Sequence, residues 1–426
     1  MLGGAGAAAL VAQRPDAFQA SYDHPSIGYL TRPVNDRISQ LNRDIERGEV
    51  SLAFDGTSGY LRSLLAALDV PSESQVLVFS GTSAQARLVN PRNPRAIFFH
   101  DTVSIGWVRG GSLLELAAAD PRQGVIFYTL EQKPAEKPLL RRDNRCLLCH
   151  LSWDTLAVPG LLVISTFPMS DDKNAYASGV VADHRTSFEQ RWGGWYVTGN
   201  ALPQRHLGNV PVIRPAAELA KPAAPPPQLR SIEGQFNIDG YPTRYSDVAA
   251  VMVLEHQTHA TNLLTRLGWE ARLVEYGTQT GAAPRGGSAG SEASADRVRD
   301  AARDLVDYLL FIDEAPIGRR IEGSSGFAAQ FSAQGPRDTK GRSLRQLDLE
   351  RRLLRFPCSY MIYSEAFDAL PSIAKDAVYE RMWQILSGRE TDTRYARLSV
   401  ADRQAIVEIL RDTKKDLPDY FQASTR

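Results

Sequence analysis

The sequence predicts an α+β fold, a β-rich N-terminal half followed by a mainly α-helical C-terminal half. Three observations carry this. Residues 75–131 hold short β-branched and aromatic runs separated by turn-forming pieces such as NPRNPR and DPRQG. From residue 231 onward the apolar residues recur with helical spacing. Between the halves, PAAELAKPAAPPPQ (residues 215–228) is dense in proline and poor in bulky apolar residues, the composition of a semi-extended connector.

In chain order, DRISQLNRDIERGE (36–49) and TSGYLRSLLAALD (57–69) read as helices, with Asp36 and Thr57 as N-caps and stops near Gly48 and Asp69. QVLVFS, RAIFFHD, SIGWVRGG, LLELAA and GVIFYTLE then form a largely antiparallel meander, and LLVISTF, ASGVVAD and GWYVTGN extend the strand-like texture to about residue 200. Helices are expected at 246–267, 297–312, 343–356, 372–387 and 399–412, the last opened by Ser399 with Asp402 three residues on. GTQTGAAPRGGSAGSEASAD (277–296) reads as a surface loop. The domain boundaries that follow are 1–13, a signal-like or disordered N-terminus; 14–214, the α/β-meander region; 215–230, the connector; and 231–426, the helical domain.

A chain of 426 residues suggests two or three domains. With 49 basic and 49 acidic residues, nothing points to nucleic acid, and no stretch approaches the ~20 apolar residues of a transmembrane segment. LGGAGAAALVA (2–12) resembles the small-residue end of a secretory signal, although a basic start is missing, so export to the periplasm or beyond is expected. The chain has three cysteines, too few for a disulfide framework. Cys358, in FPCSYMIY, reads as a small buried hydrophobe.

The other two cysteines stand in RRDNRCLLCHLSW (141–153). Cys-x-x-Cys-His suits covalent haem: each thiol adds to a vinyl group, and the adjacent imidazole reaches the iron. Two alternatives stay open. Zinc on Cys146, Cys149 and His150 needs a fourth ligand, and no second Cys-x-x-Cys is present. A thiol redox pair belongs at a strand–helix junction in a βαβ pattern, which the sequence lacks.

Through Cys146, Cys149 and His150 the chain resembles the c-type cytochromes. The resemblance covers only this local motif, and its broader layout is faintly similar to the bacterial cytochrome c peroxidases, which carry two motifs where this chain has one. It implies one covalent haem c, iron redox chemistry and maturation outside the cytoplasm, with His150 as the proximal metal ligand.

A sixth ligand would be another His or a Met. In AAVMVLEHQTHATNLLTRL (249–267), His256 shares a helical face with Val253, Ala260, Leu263 and Leu267. It is a candidate metal ligand or distal acid–base, the alternative being a core histidine. His259 lies four residues after Glu255, close enough for that carboxylate to fix its tautomer. His206 is the second catalytic candidate, with Arg205 beside it in RHLGN as the cation for a propionate or a developing anion and Arg191 as an alternative cation; His184 is a slightly weaker candidate, and Met169 and Met252 are lesser options for the iron ligand. Arg145, with Arg141 and Arg142, would suit haem propionates. Trp192, Trp195 and Tyr196 would wall a pocket or fill a core.

The expected function is thus a periplasmic monohaem c-type cytochrome acting in electron transfer or haem redox chemistry with a redox partner protein. Its alternatives are a peroxidase-type enzyme using a distal His/Arg pair on a small oxidant, and an interaction protein with a structural zinc site. One haem pocket shared by the two halves is expected.

Overall fold

A computed structural model of the chain describes residues 22–166, 179–210, 225–281 and 291–422. Met169 and the signal-like residues 1–13 lie outside the described residues. Helix α1 (Arg37–Arg47) is bounded as its sequence requires: Asp36 accepts from the amides of Ile38 and Ser39, and Gly48 closes it at φ 75°. Helix α2 (Leu61–Ala67) begins later than expected. Thr57 is not its cap, because Asp55 accepts from the amides of Thr57 and Ser58 and holds them in a turn.

The meander forms as read. Strands β1 (Val76–Val78), β2 (Arg95–Phe99), β3 (Val103–Trp107), β4 (Leu113–Asp120), β5 (Gly124–Glu131) and β6 (Arg141–Arg142) pair antiparallel in sequence order. The last strand of this seven-stranded sheet, β9 (Trp195–Tyr196), adds beside β1, so β6 and β9 are the two edges. Strands β7 (Ile164–Ser165) and β8 (Val180–Val181) make a separate pair. A close approach requires glycine where that pair meets the sheet: a Cβ on Gly193 would stand 1.6 Å from the Thr166 carbonyl oxygen.

Alternation along the strands gives the sheet two faces. One face, with Phe98, Ile105, Leu116, Ile126 and Tyr128, packs under α1 and α2. Asp36 ties the layers, since the Tyr128 hydroxyl donates to it at 2.6 Å. The opposite face presents Val76, Val78 and Phe99 to helix α4 (Val248–Thr280), and at its other end Ala117, Val125 and Phe127 to the cysteine motif. The motif itself forms α3 (Leu147–His150).

Helix α4 extends well beyond the expected residue 267 and is buried on all sides through most of its length, as befits a central helix. Helices α5 (Ser291–Leu309), α6 (Phe327–Ala333), α7 (Glu365–Asp368), α8 (Ser372–Leu386) and α9 (Val400–Thr413) complete the C-terminal half. Ser399 caps α9 by accepting from the Asp402 amide, as read. Helical residues take both ends of the loop read at 277–296, since α4 runs to Thr280 and α5 starts at Ser291.

One expected helix is absent. Residues 343–356 are irregular, with Leu347 bridged to Leu354 and Leu349 at φ 59°. Side chains there outcompete the helical ladder: Asp348 accepts from the amides of Glu350 and Arg351, and Glu314 takes the Leu353 amide. Residues 225–230 of the connector are pinned, with the Pro227 and Leu229 carbonyls accepting from Asn209 and the Gly199 amide. Sheet and helices share one hydrophobic core across that connector.

Candidate functional site

Asn144–Cys146 forms a 3-10 turn that runs directly into α3, so Cys146, Cys149 and His150 stand at helical positions i, i+3 and i+4 and share a face. Asp143 opens the turn by accepting from the Arg145 amide at 3.0 Å. Cys146 and Leu147 rest against Ala117, Val125 and Phe127 of the sheet, while Cys149 is exposed. Leu148 is 87% exposed and Trp153 62%, so the motif carries apolar surface that this fold leaves in water.

His150 is held from the sequence that follows it. Leu156 and Ala157 both adopt φ 60°, at about 1–2 kcal/mol each for non-glycine residues. The Ser152 carbonyl, accepting from the Ala157 amide, and Arg266, donating to the Leu156 carbonyl, stabilise that turn. The chain thereby returns over the histidine. The Gly160 amide donates to the His150 carbonyl at 2.9 Å, and His150 Nδ1 meets the Gly160 carbonyl at 2.9 Å. A carbonyl only accepts, so Nδ1 carries the proton and Nε2 keeps its lone pair. Burial lowers the imidazole's pKa and favours this neutral form, with Gly160 opposing.

Residues on either side lock Gly160. The Val125 amide of β5 donates to the Pro159 carbonyl at 3.2 Å. Asn262 of α4 receives the Leu161 amide at 3.0 Å and donates to the Leu161 carbonyl at 2.8 Å. The ring of Phe127 packs against His150, centroids 4.7 Å apart. Beneath the motif, Arg95 pairs with Glu115 at 2.7 Å across Gly106, whose missing Cβ leaves room for the guanidinium. Neither the Gly160 carbonyl nor the Arg95–Glu115 pair was legible in the motif; ligand histidines commonly donate their second nitrogen to a carbonyl, but the sequence does not say which one.

The Cys146 thiol is raised to about 11, chiefly by burial and then by Asp143 and Glu115. A thiol so held is a poor nucleophile, unlike the attacking cysteine of a redox pair. Among the described residues, no group of three His, Cys, Asp or Glu side chains converges as a metal cage would.

His256, His259 and His206 are each engaged by partners outside the motif. His256 is fully buried; its Nδ1 lies 2.8 Å from His184 Nδ1 and its Nε2 2.6 Å from Ser359 Oγ. Burial lowers it to about 3, so it is neutral, and both nitrogens are engaged. Phe311 and Tyr308 stack on the histidine pair. The expected partnership of Glu255 with His259 does not form. Glu255 instead pairs with buried Arg191 at 3.1 Å, and burial still raises its carboxyl to about 7. His259 Nε2 lies 3.0 Å from Arg185, which is itself paired with Asp183 at 2.5 Å.

His206 is buried beside Trp192, its Nδ1 accepts from the Gly208 amide at 3.1 Å, and burial lowers it to about 4. Its loop attaches to β9, because the Asn209 amide donates to the Trp195 carbonyl. The motif packs on β5, five strands away in the sheet order, or roughly 24 Å at ~4.8 Å per strand. The structure therefore does not bring His206 to His150. Arg205 is exposed. Arg145 is spent on a bidentate pair with Asp143, and Arg142 donates to the Tyr29 carbonyl at 2.6 Å. Met252, Trp192 and Trp195 are core, and Cys358 is fully buried, as read. The His184–His256 and Arg191–Glu255 partners lie 72 and 64 residues apart, which no local pattern reveals. No protein-family model, curated protein or solved structure matches this chain.

Proposed function

We propose that this chain is an exported monohaem c-type cytochrome that transfers electrons to or from a partner protein, with haem joined to Cys146 and Cys149 and His150 on the iron. The observation that supports this best is the His150–Gly160 hydrogen bond of 2.9 Å. It leaves Nε2 as the basic nitrogen, on the helical face that also carries both thiols. When bound, the haem would supply a one-electron iron couple.

The residues around it do the rest. Gly160, clamped by Asn262 and β5, holds the imidazole's proton at Nδ1 and fixes the ring plane. Phe127 and Leu147 offer an apolar floor, and Leu148 and Trp153 offer surface for a porphyrin to cover. Thioether attachment needs the sulfurs at the edge of the ring rather than gathered around one ion, and so does not call for a convergent cage. Zinc does, at ~2.0–2.3 Å from each ligand. His256 would serve as a distal acid–base only after release from His184 and Ser359.

The test is maturation with a c-type assembly system, followed by a pyridine haemochrome and intact mass. One haem per chain, retained after denaturation, is expected. Stoichiometric zinc with no haem would overturn the proposal in favour of the structural zinc site. A high-spin ferric spectrum that turns over peroxide would replace electron transfer with peroxidase chemistry.

A further inference from the structure

At the opposite end of β5 from its pairing with β6, a cleft of about 330 Å³ opens between the N-terminal segment, the β4–β5 turn, α4 and the residue after α7. Arg32, Arg122 and Arg272 all line it. Arg272 is only 7% exposed, and its one hydrogen bond among the described residues is from Nη2 to the Ala369 carbonyl at 2.9 Å. Arg32 donates to the Pro25 carbonyl at 2.8 Å. No carboxylate lies within ion-pair distance of any of the three among the described residues.

The carboxylate that does line the cleft is already committed. Asp120 Oδ2 accepts from the Asn35 amide at 2.7 Å, and Oδ1 accepts from the amides of Arg122 and Gln123 at 2.9 and 2.8 Å. Asp120 and Glu275 soften the local field without pairing, while Arg122 and Arg32 oppose the Arg272 charge. A buried guanidinium among like charges is costly unless a counter-charge arrives. Burial, with Arg122 next, lowers Arg272 to about 10, in keeping with that cost. Gln123 adds a second unmet demand. It is 3% exposed, its Nε2 donates to the Pro33 carbonyl at 2.9 Å, and its buried Oε1 has no partner among the described residues.

Gln123 lines the same cleft as the three arginines, so an anion that still carries a proton would meet both its spare acceptor and their charge. We propose that this cleft binds a phosphate group, its oxygens held by Arg272, Arg122 and Arg32 and its remaining hydroxyl donated to Gln123 Oε1. Arginine forks match phosphate oxygens two at a time, and phosphate near neutral pH keeps one or two protons that sulfate lacks. The cleft is larger than the group alone, so free phosphate and the monoanion of a small phosphomonoester, which keeps one proton below its second pKa of about 6, share the same recognition.

Isothermal titration of the whole chain at about pH 6 and constant ionic strength, haem-loaded and haem-free, with inorganic phosphate, glycerol 3-phosphate and sulfate, tests this. Because both forms are titrated, failure here is distinguishable from failure of the haem assignment. Saturable binding of phosphate or of glycerol 3-phosphate, stronger than sulfate, is expected; the better of the two identifies the source. Arg122→Ala and Arg32→Ala, both at exposed positions, should each weaken binding by about tenfold. Arg272→Met should abolish it; if that variant does not fold, the two exposed ones decide. Absence of saturable binding by either phosphate, equal binding of sulfate, or unchanged affinity in both exposed variants would overturn the proposal.

Discussion

Gly160→Ala perturbs the residue that the site depends on most and the motif does not contain. A Cβ there would stand 2.3 Å from Asn262 Oδ1 and 2.8 Å from Asn262 Cγ, with Thr155 Cβ at 3.1 Å. Gly160 has no positive φ, so the penalty is steric contact rather than backbone strain. Overpacking of this kind costs about 1–3 kcal/mol. If Asn262 swings aside to relieve it, its two hydrogen bonds to Leu161 are lost, at ~1 kcal/mol each. The segment would then lose its anchor to α4, and the Gly160 carbonyl would loosen its hold on His150 Nδ1. Urea denaturation should show a lower midpoint with an unchanged slope. In haem-loaded protein a weaker Nδ1 hydrogen bond makes the imidazole less basic, so the reduction potential should rise in a potentiometric titration. Asn262→Ala removes the atoms struck by the new methyl group, and the double variant should therefore cost less than the two single losses added together. An unchanged midpoint for Gly160→Ala, or strict additivity in the double variant, would refute this account of how His150 is held.

Three further outcomes follow from the same structure. Cys146→Ser and Cys149→Ser should each leave one thioether and shift the pyridine haemochrome α band to longer wavelength, because one vinyl group stays conjugated; loss of haem retention from neither variant alone nor both together would refute covalent attachment. His206 is held at about 4 against 6.5 in the unfolded chain, so the unfolded state binds more protons in that interval. Stability from this group is complete above pH 6.5 and declines toward pH 4, a span worth about 3 kcal/mol; His206→Gln should flatten the urea midpoint across that window, and parallel profiles would argue against a buried neutral histidine. Arg191→Met leaves the Glu255 carboxylate buried alone, at a cost of about 3–5 kcal/mol. The loss should be larger at pH 8 than at pH 5, where the carboxyl, already near 7, is neutral; equal losses at both would place the damage in packing instead.

Local signals in the sequence determined the elements whose bonds close locally. The meander, the Asp36 and Ser399 caps and the triad Cys146, Cys149 and His150 all depend on neighbours a few residues away, and period, turn residues and motif spacing display those neighbours. Where side chains competed with the backbone, local reading failed: Asp348 and Glu314 capture amides that a helix over 343–356 would have used. Tertiary structure alone decided the partners. His256 looked available for iron because it lies on an apolar stripe, but His184 and Ser359 occupy its nitrogens from 72 and 103 residues away. His206 and His150 are both held against one sheet, yet strand order puts four strands between β5 and β9, which hold them. Likewise Gly160 became the residue that sets the His150 tautomer only because β5 and α4 grip its neighbours from both sides. Chain separation carries no information about such contacts, since burial and register fix them only once the sheet and the central helix have packed together.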